Sequence, residues 1–136
     1  DVGGVQRARN LAYLLDMSMV VMEKKRFLDR HERTEAVRII GDVDGRDAIV
    51  IDDMIASGST IAGGAPALKE AGATSVTFVA THGVLAGSAV ERLAAVSIDR
   101  VFLTNTVAIG AEKQFPKLTT VSVAPLLARA ISSLVK

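Results

Sequence analysis

The chain has 136 residues, of which 49% are hydrophobic, 23% are charged and only 4% are aromatic, and its formal net charge is +1. This length suits one domain with a substantial core, and the near-neutral charge argues against the strongly basic surface of a nucleic-acid-binding protein. No apolar run reaches the roughly 18 residues that a membrane span needs. The chain has no cysteine, which excludes disulfides and thiolate chemistry and is compatible with the cytoplasmic location that we expect.

The predicted secondary structure alternates between helices and strands. Apolar periodicity predicts the following elements in chain order: a helix from Val5 to Leu15, strands at Ser18 to Met22, Ala36 to Val43 and Asp47 to Asp52, a helix from Thr60 to Ala71, a strand at Ser75 to Thr81, a helix from Ser88 to Val96, strands at Val101 to Leu103 and Thr119 to Val121, and a helix from Ala124 to Leu134. The charged stretch from Lys24 to Glu35 has no sustained apolar period and is predicted to be a mobile excursion. This alternation predicts one α/β domain with a mainly parallel central sheet.

The segment most informative about function follows the apolar run Ala48 to Ile51, which is typical of a strand buried on both faces. Asp52 and Asp53 come at the end of this run, where open α/β sheets bind ligands. The loop Ala56 to Thr60 contains only small residues, so its N–H groups and hydroxyls can surround a phosphate at the start of a helix. Two adjacent carboxylates suit ribose hydroxyls, a metal ion or both. An ordinary strand-to-helix connection with a helix cap is the alternative.

This segment resembles the phosphoribosyl pyrophosphate binding motif of the type I phosphoribosyltransferase fold. Further segments occur in the order seen in the ribose-phosphate pyrophosphokinases: Asp1-Val2-Gly3-Gly4-Val5 followed by Arg7 and Arg9, Glu23-Lys24-Lys25-Arg26, Ile39-Ile40-Gly41-Asp42-Val43, Ala80-Thr81-His82-Gly83, Thr104-Asn105-Thr106, and Ser122-Val123-Ala124-Pro125-Leu126-Leu127. The similarity runs from Asp1 to about Val135 and matches the C-terminal half of those enzymes. It implies a phosphoribosyltransferase-like three-layer α/β/α domain over residues 1–136, in a fragment that lacks the N-terminal half and one preceding strand.

The resemblance also implies a reaction that serves nucleotide biosynthesis. The pyrophosphoryl group of ATP would move to the 1-hydroxyl of ribose 5-phosphate, giving AMP and phosphoribosyl pyrophosphate. Asp52 and Asp53 would hold the ribose hydroxyls. The residues that would hold the 5-phosphate are Ser57, Gly58, Ser59 and Thr60. Ribose 5-phosphate and ATP are therefore the expected partners, and the resemblance implies a homo-oligomer.

Other residues would serve the catalytic step and the metal. By the same resemblance, Lys24 and Arg26 would stabilise the group in transfer, since pyrophosphoryl transfer needs positive charge on its oxygens. Asp1 would hold the Mg²⁺ bound to ATP, together with a ligand from the absent half. Asp52 and Asp53 are the candidates for a second Mg²⁺. The fragment alone is expected to be inactive.

Two other interpretations stay open. The usual bacterial loop of this family has an Asp where Ala56 stands and commonly a Thr where Ser57 stands. The altered loop and the missing half favour a catalytically silent phosphoribosyl-binding regulatory module. A type I phosphoribosyltransferase would use the same loop, but it needs a segment that recognises a base, and no extra segment of this chain can form one.

Overall fold

The computed structural model describes residues 2–28 and 33–135. Its elements are helix α1 (Val2–Leu15), strands β1 (Val21–Leu28), β2 (Arg33–Ile40) and β3 (Asp47–Ile55), helix α2 (Ser59–Glu70), strand β4 (Ser75–Gly83), helix α3 (Ala89–Ala95), strand β5 (Arg100–Thr104), a short 3₁₀ helix (Ala111–Lys113), strand β6 (Leu118–Val121) and helix α4 (Ala124–Leu134). No helix in these two ranges is both long and apolar enough to cross a membrane.

The central sheet has the strand order β3-β4-β5-β6, and every neighbouring pair is parallel. Parallel neighbours need a crossover, and α2 and α3 supply those between β3 and β4 and between β4 and β5. β3 pairs with β4 from Asp47 opposite Ser75 to Ile55 opposite Gly83. The prediction of an α/β domain with a mainly parallel sheet is confirmed, and β3 lies at one edge of the four strands.

The best-packed part of the core is formed by β4 and α2. Alternate residues of β4 are buried, whereas α2 buries residues at helical spacing, as the two periodicities require. The buried apolar residues are Ile61, Ala65 and Leu68 of α2 and Val76, Phe78 and Ala80 of β4. Gly72 follows the C-cap residue of α2, with φ of 95° and its N–H donating to the Lys69 carbonyl at 3.0 Å. Burial of each large apolar side chain stabilises the fold by roughly 1.5–3 kcal/mol.

The stretch from Lys24 to Glu35 differs from its prediction. Residues 24–28 belong to β1 and residues 33–35 to β2, and the two strands are antiparallel, so the predicted mobile excursion is wrong there; residues 29–32 lie outside the described part. Ladder hydrogen bonds join backbone groups, so a charged sequence can form them. The register also places Glu23 opposite Arg38, a favourable cross-strand pair of charges.

Helix α1 covers the edge strand β3 only partly. It begins at Val2 and not at Val5, because the first turn of a helix needs no apolar side chain. Its half-buried residues Val5, Ala8, Leu11 and Ala12 form an apolar stripe at helical spacing, whereas Leu15, which has the same spacing, is 50% exposed. The half-buried residues line a groove of about 1080 Å³ whose other walls come from β1 and β3. Ile49 of β3, 41% exposed, lies in this groove.

Candidate functional site

Two adjacent carboxyl groups lie near the carboxyl end of β3. The strand continues to Ile55, because pairing with β4 extends beyond the acids, so Asp52 and Asp53 lie within the strand and not after it. The N–H of Asp53 donates to Asp52 Oδ1 at 2.9 Å, and the N–H of Met54 donates to Asp53 Oδ1 at 2.8 Å. Each carboxyl group is therefore held by the backbone amide that follows it.

Helix α1 contributes a cation to this pair. The Arg7 Nη2 atom lies 3.6 Å from Asp53 Oδ2, and the two side chains are 47% and 50% exposed. From the sequence, Arg7 was as consistent with an ordinary surface position as with a ligand contact. The structure places it at the acids, across the groove that separates α1 from β3.

The two acids have opposite pKa shifts. Burial is the largest influence on Asp52 and raises its pKa above the usual value, against the opposing hydrogen bond from the Asp53 backbone. The pKa of Asp53 is lowered, first by its hydrogen bond with the Asp52 carboxyl group and next by the N–H of Met54. Neighbouring carboxyl groups titrate as a pair. The first negative charge of this pair therefore resides mainly on Asp53.

The loop that follows β3 has a conformation that requires glycine. Gly58 has φ of 73° and ψ of 6°, in the left-handed region, and it is the residue that precedes α2. No side chain caps the helix there; the Ser57 and Ser59 hydroxyls instead lie 3.2 Å apart and bond to each other. A Cβ atom at Gly58 would lie 3.6 Å from Leu93. The loop is thus packed against α3.

The carbonyl oxygens of residues 55–57 accept hydrogen bonds from the segment after β4 and from helix α3. The donors are Val84 N–H and Leu85 N–H to the Ile55 carbonyl, each at 3.1 Å, Ala86 N–H to the Ala56 carbonyl at 2.9 Å, and Arg92 Nη1 to the Ser57 carbonyl at 2.7 Å. By contrast, the N–H groups of Ser57 and Gly58 donate to no acceptor within the described residues. A loop that has free N–H groups at Ser57 and Gly58 and occupied carbonyls at Ala56 and Ser57 suits an anion.

Two cavities meet at the acids. A cavity of about 250 Å³ is lined by residues 52–61 together with Phe78 and Val79. Asp52 and Thr60 line both this cavity and the groove under α1. A ligand at this junction would contact carboxylates on one side and the small-residue loop on the other. That combination fits a phosphorylated polyol.

Comparisons with known proteins identify the family of this chain. Residues 6–136 match the family described as the phosphoribosyl synthetase-associated domain. The chain belongs to this family. It is 45% identical over 131 residues to the ribose-phosphate pyrophosphokinase of Helicobacter hepaticus and 46% identical over 132 residues to that of Bifidobacterium longum.

These relatives are considerably longer than this member of the phosphoribosyl synthetase-associated domain family. Each alignment covers 96% of this chain but 41% of the Helicobacter hepaticus protein and 39% of the Bifidobacterium longum protein. The crystal structure of phosphoribosylpyrophosphate synthetase from Mycobacterium smegmatis superposes with a TM-score of 0.80 at 39% identity, over 94% of this chain and 41% of that one. The chain therefore spans about two-fifths of the length of the curated relatives that it matches.

The predicted catalytic residues of this family member are only partly described. Lys24 and Arg26 lie in β1, with Val37 and Glu35 opposite them in β2, but their side chains lie outside the described part. The catalytic assignment of these two residues stays a prediction. Asp1 lies outside the described residues, so its role in holding Mg²⁺ stays a prediction.

The donor set at Asp52 and Asp53 fits a magnesium ion that is completed by substrate and water. Within residues 2–28 and 33–135, no group of three or more His, Cys, Asp or Glu side chains could hold a metal. Mg²⁺ is commonly bound by one or two carboxylates, with phosphates and water filling the remaining positions. Two neighbouring carboxylates at an open cavity meet that requirement, whereas they would not form a site made of protein ligands alone.

Sequence reasoning missed one residue of this site. Arg92 contacts the loop, yet it stands 35 positions after Ser57, in a helix whose periodicity gives no sign of what its exposed face touches. His82 lies in β4, and its Nδ1 atom lies 2.8 Å from the Thr106 hydroxyl.

Proposed function

We propose that this chain is the C-terminal, phosphoribosyltransferase-like domain of a ribose-phosphate pyrophosphokinase and that it holds ribose 5-phosphate. One observation carries the proposal: Asp52 and Asp53 adjoin a loop with free amides, at the junction of two cavities. The relatives named ribose-phosphate pyrophosphokinase support it. The reaction would transfer the pyrophosphoryl group of ATP to the sugar, for nucleotide biosynthesis.

In this proposal the loop binds the 5-phosphate. The free N–H groups of Ser57 and Gly58 donate to its oxygens, as do the hydroxyls of Ser57, Ser59 and Thr60. The N-terminus of α2 adds the positive end of the helix dipole. This arrangement fixes one end of the sugar phosphate, and the acids then decide how the ring is oriented.

The acids hold the other end of the sugar. Asp53, the acid of the pair that ionises first, accepts hydrogen bonds from ribose hydroxyls, and Asp52 completes the contact. The sugar is then held at both ends, so its 1-hydroxyl oxygen can be placed in line with the β-phosphorus of ATP. That oxygen bonds to the β-phosphorus, the bond from this phosphorus to the oxygen kept by AMP breaks, and the hydroxyl proton is released. Positioning supplies much of the rate when the protein forms no covalent intermediate.

Other parts of the proposal follow from the family. When bound, Mg²⁺ would neutralise phosphate charge, and Asp52 and Asp53 are the residues of this chain that would hold it. Lys24 and Arg26 would stabilise the charge that develops on the transferring group. Asp1 would take part in binding ATP with its Mg²⁺. We also propose a cytoplasmic homo-oligomer in which the rest of the enzyme binds most of the nucleotide.

A phosphoribosyl-binding regulatory module is the second candidate. One observation favours it: Ala56 stands where the resembling loop usually has an acid. Such a module would bind ribose 5-phosphate through the same residues and would catalyse nothing.

Calorimetric titration with ribose 5-phosphate, in the presence and absence of Mg²⁺, tests the site. The parent chain should show saturable binding, and the Asp52→Ala/Asp53→Ala variant should bind at least about tenfold more weakly, equivalent to about 1.4 kcal/mol. The matched control is Asp42→Ala/Asp44→Ala, which removes two exposed carboxylates ahead of β3. A folded parent that does not bind, or a control that loses as much affinity as the acid variant, would refute the assignment.

Turnover separates the two candidates. If the parent binds ribose 5-phosphate, a preparation that joins this domain to the remainder of the enzyme is incubated with ATP and Mg²⁺, and AMP is measured. Formation of AMP that depends on ribose 5-phosphate supports the kinase. Binding without AMP formation, in a preparation that includes the remainder of the enzyme, would favour the regulatory module.

A further inference from the structure

Arg92 joins helix α3 to the loop that follows β3. Its Nη1 atom donates to the Ser57 carbonyl at 2.7 Å, and its Nη2 atom donates to the Ser88 hydroxyl at 3.1 Å. The guanidinium fork is therefore anchored at two points, one on its own helix region and one on the loop. Arginine can do this because its donors have a fixed planar geometry, whereas lysine presents a single nitrogen.

The charge of Arg92 is not neutralised by a carboxylate in the described part of the chain. The ion pairs found there join Arg7 to Asp53, Arg46 to Asp42 and Lys69 to Asp99. Arg92 instead gives its hydrogen bonds to a carbonyl and a hydroxyl, both neutral acceptors. A positive charge is thus retained next to the loop whose amides are free.

The bond to Ser57 constrains the orientation of a peptide group. The carbonyl of Ser57 and the N–H of Gly58 belong to the same planar unit, so fixing the carbonyl on the α3 side fixes the amide as well. The neighbouring carbonyls of Ile55 and Ala56 are held by backbone donors from the segment after β4. Arg92 provides the corresponding bond for Ser57 from a side chain, and a side chain can be replaced without changing the backbone.

We propose that Arg92 is a positioning residue for sugar-phosphate binding: it holds the Ser57 peptide so that the Gly58 amide faces the phosphate. This inference rests on the proposed function of the loop. Arg92 itself contacts the loop and not the ligand. Its removal should therefore free the loop and weaken affinity for the phosphorylated sugar, while leaving the fold intact because its side chain is exposed.

The experiment combines two readouts on Arg92→Ala and Arg92→Lys. Amide hydrogen exchange of Ala86 and Ala62, whose N–H groups donate to the Ala56 and Gly58 carbonyls, reports the loop without any ligand, and calorimetry with ribose 5-phosphate reports binding. We expect Arg92→Ala to accelerate exchange at both amides and to weaken binding by about tenfold, the effect of losing one hydrogen bond from a charged group. Arg92→Lys, which keeps the charge but not the fork, should recover less than half of the lost affinity on a logarithmic scale and leave exchange fast.

A matched control is Lys117→Ala. Lys117 is also a cation that donates to a carbonyl, that of Val96 at 3.1 Å, and its removal changes the net charge by the same amount away from the loop. Binding and loop exchange should both be unchanged in this variant. An equal loss in Lys117→Ala would show that net charge, and not the contact to Ser57, sets the affinity, and the proposal would then be wrong.

The outcomes distinguish this inference from the proposed function. Full recovery of affinity in Arg92→Lys, or unchanged loop exchange in Arg92→Ala, would overturn the positioning role even if the parent binds ribose 5-phosphate well. If the parent does not bind, the proposed function fails, and the role in binding fails with it. Faster exchange in Arg92→Ala would then establish only that the arginine holds the loop.

Discussion

The two sides of strand β3 differ in how well they are packed. On one side, β4, α2 and α3 bury large apolar side chains such as Phe78, Leu68 and Leu93. On the other side, α1 lies across a groove of about 1080 Å³ and leaves Ile49 41% exposed. The candidate site lies where these two sides meet, because Asp52 and Thr60 line both the groove and the loop cavity.

The phosphate loop and the acid pair therefore differ in how firmly they are packed and how exposed they are to solvent. The phosphate loop belongs to the packed side, and its carbonyls are held by several donors. The acids face the open side, where a half-exposed ion pair with Arg7 connects them to α1. We expect the loop to be preorganised and insensitive to salt, and the acids to respond to pH and ionic strength.

The largest expected effect compares one substitution on the two sides. Leu93→Ala should lower the free energy of unfolding by about 2–5 kcal/mol, because Leu93 is fully buried and its removal leaves a cavity behind Gly58. Leu11→Ala, in the half-buried wall of the groove, should cost about 1 kcal/mol or less. Urea unfolding of both variants gives the comparison.

The same two variants also test whether α1 is loosely packed on β3. If Leu11→Ala destabilises the chain as much as Leu93→Ala, then α1 is packed on β3 as firmly as α3 is on the loop. The open side would not exist in solution, and the distinction between a rigid loop and responsive acids would have no basis.

Much of the architecture could be predicted from the sequence, because it depends on local periodicity. The uninterrupted apolar run from Ala48 to Ile51 predicted the strand β3, but the expected burial on both faces is wrong, because β3 is an edge strand and Ile49 is 41% exposed. The i, i+3, i+4 spacing from Val5 predicted α1. The acids and the small-residue loop could be located for the same reason, since a strand followed by a helix places them in sequence as well as in space. Charge density was misleading between Lys24 and Glu35, because strand pairing depends on backbone hydrogen bonds.

The contacts that tune the site could not be predicted. Arg7 and Arg92 reach the acids and the loop from helices 46 and 35 residues away in sequence, and only the packing of those helices decides which exposed arginine meets which partner. The sequence alone does not distinguish these two arginines from other exposed basic residues. The left-handed φ of Gly58 is a conformation that glycine adopts without steric cost, but the sequence shows only that a glycine is present there.

A smaller effect is expected from removing each acid charge separately. Because burial raises the pKa of Asp52, the folded state binds this proton more tightly than the unfolded chain, so stability is lost as pH rises through the raised pKa. Asp52→Asn should therefore be more stable than the parent at about pH 7, and this gain should disappear at about pH 3, below the usual pKa of an aspartate. Thermal unfolding at the two pH values measures it.

Asp53 should show the opposite sign. Its pKa is lowered in the folded state, so its charge contributes stability that is present above the usual pKa and is lost as pH falls through the lowered one. Asp53→Asn should thus be less stable than the parent at about pH 7. Shifts of the same sign in the two asparagine variants would contradict the assignment of burial to Asp52 and of charge to Asp53.

The smallest expected effect comes from Arg7, whose ion pair with Asp53 lies on the open side of β3. Arg7→Gln should change the free energy of unfolding by less than about 1 kcal/mol, since both members of its ion pair are half-exposed, and the change should vanish in about 1 M salt. Arg46→Gln is the matched control, because Arg46 forms a similarly exposed pair with Asp42 at 3.5 Å. The two variants should be indistinguishable in stability.

They should differ in how ribose 5-phosphate binding depends on pH. The Arg7 charge lowers the pKa of both Asp52 and Asp53, so its loss should make the acids protonate at a higher pH. Binding to Arg7→Gln should therefore weaken at a higher pH than binding to the parent, whereas the Arg46→Gln profile should overlay the parent profile. The phosphate of the ligand titrates identically in all three experiments, so any displacement between profiles belongs to the protein. Coincident profiles for all three proteins would mean that α1 does not influence the acids, and the open side would then contribute shape but no charge to the site.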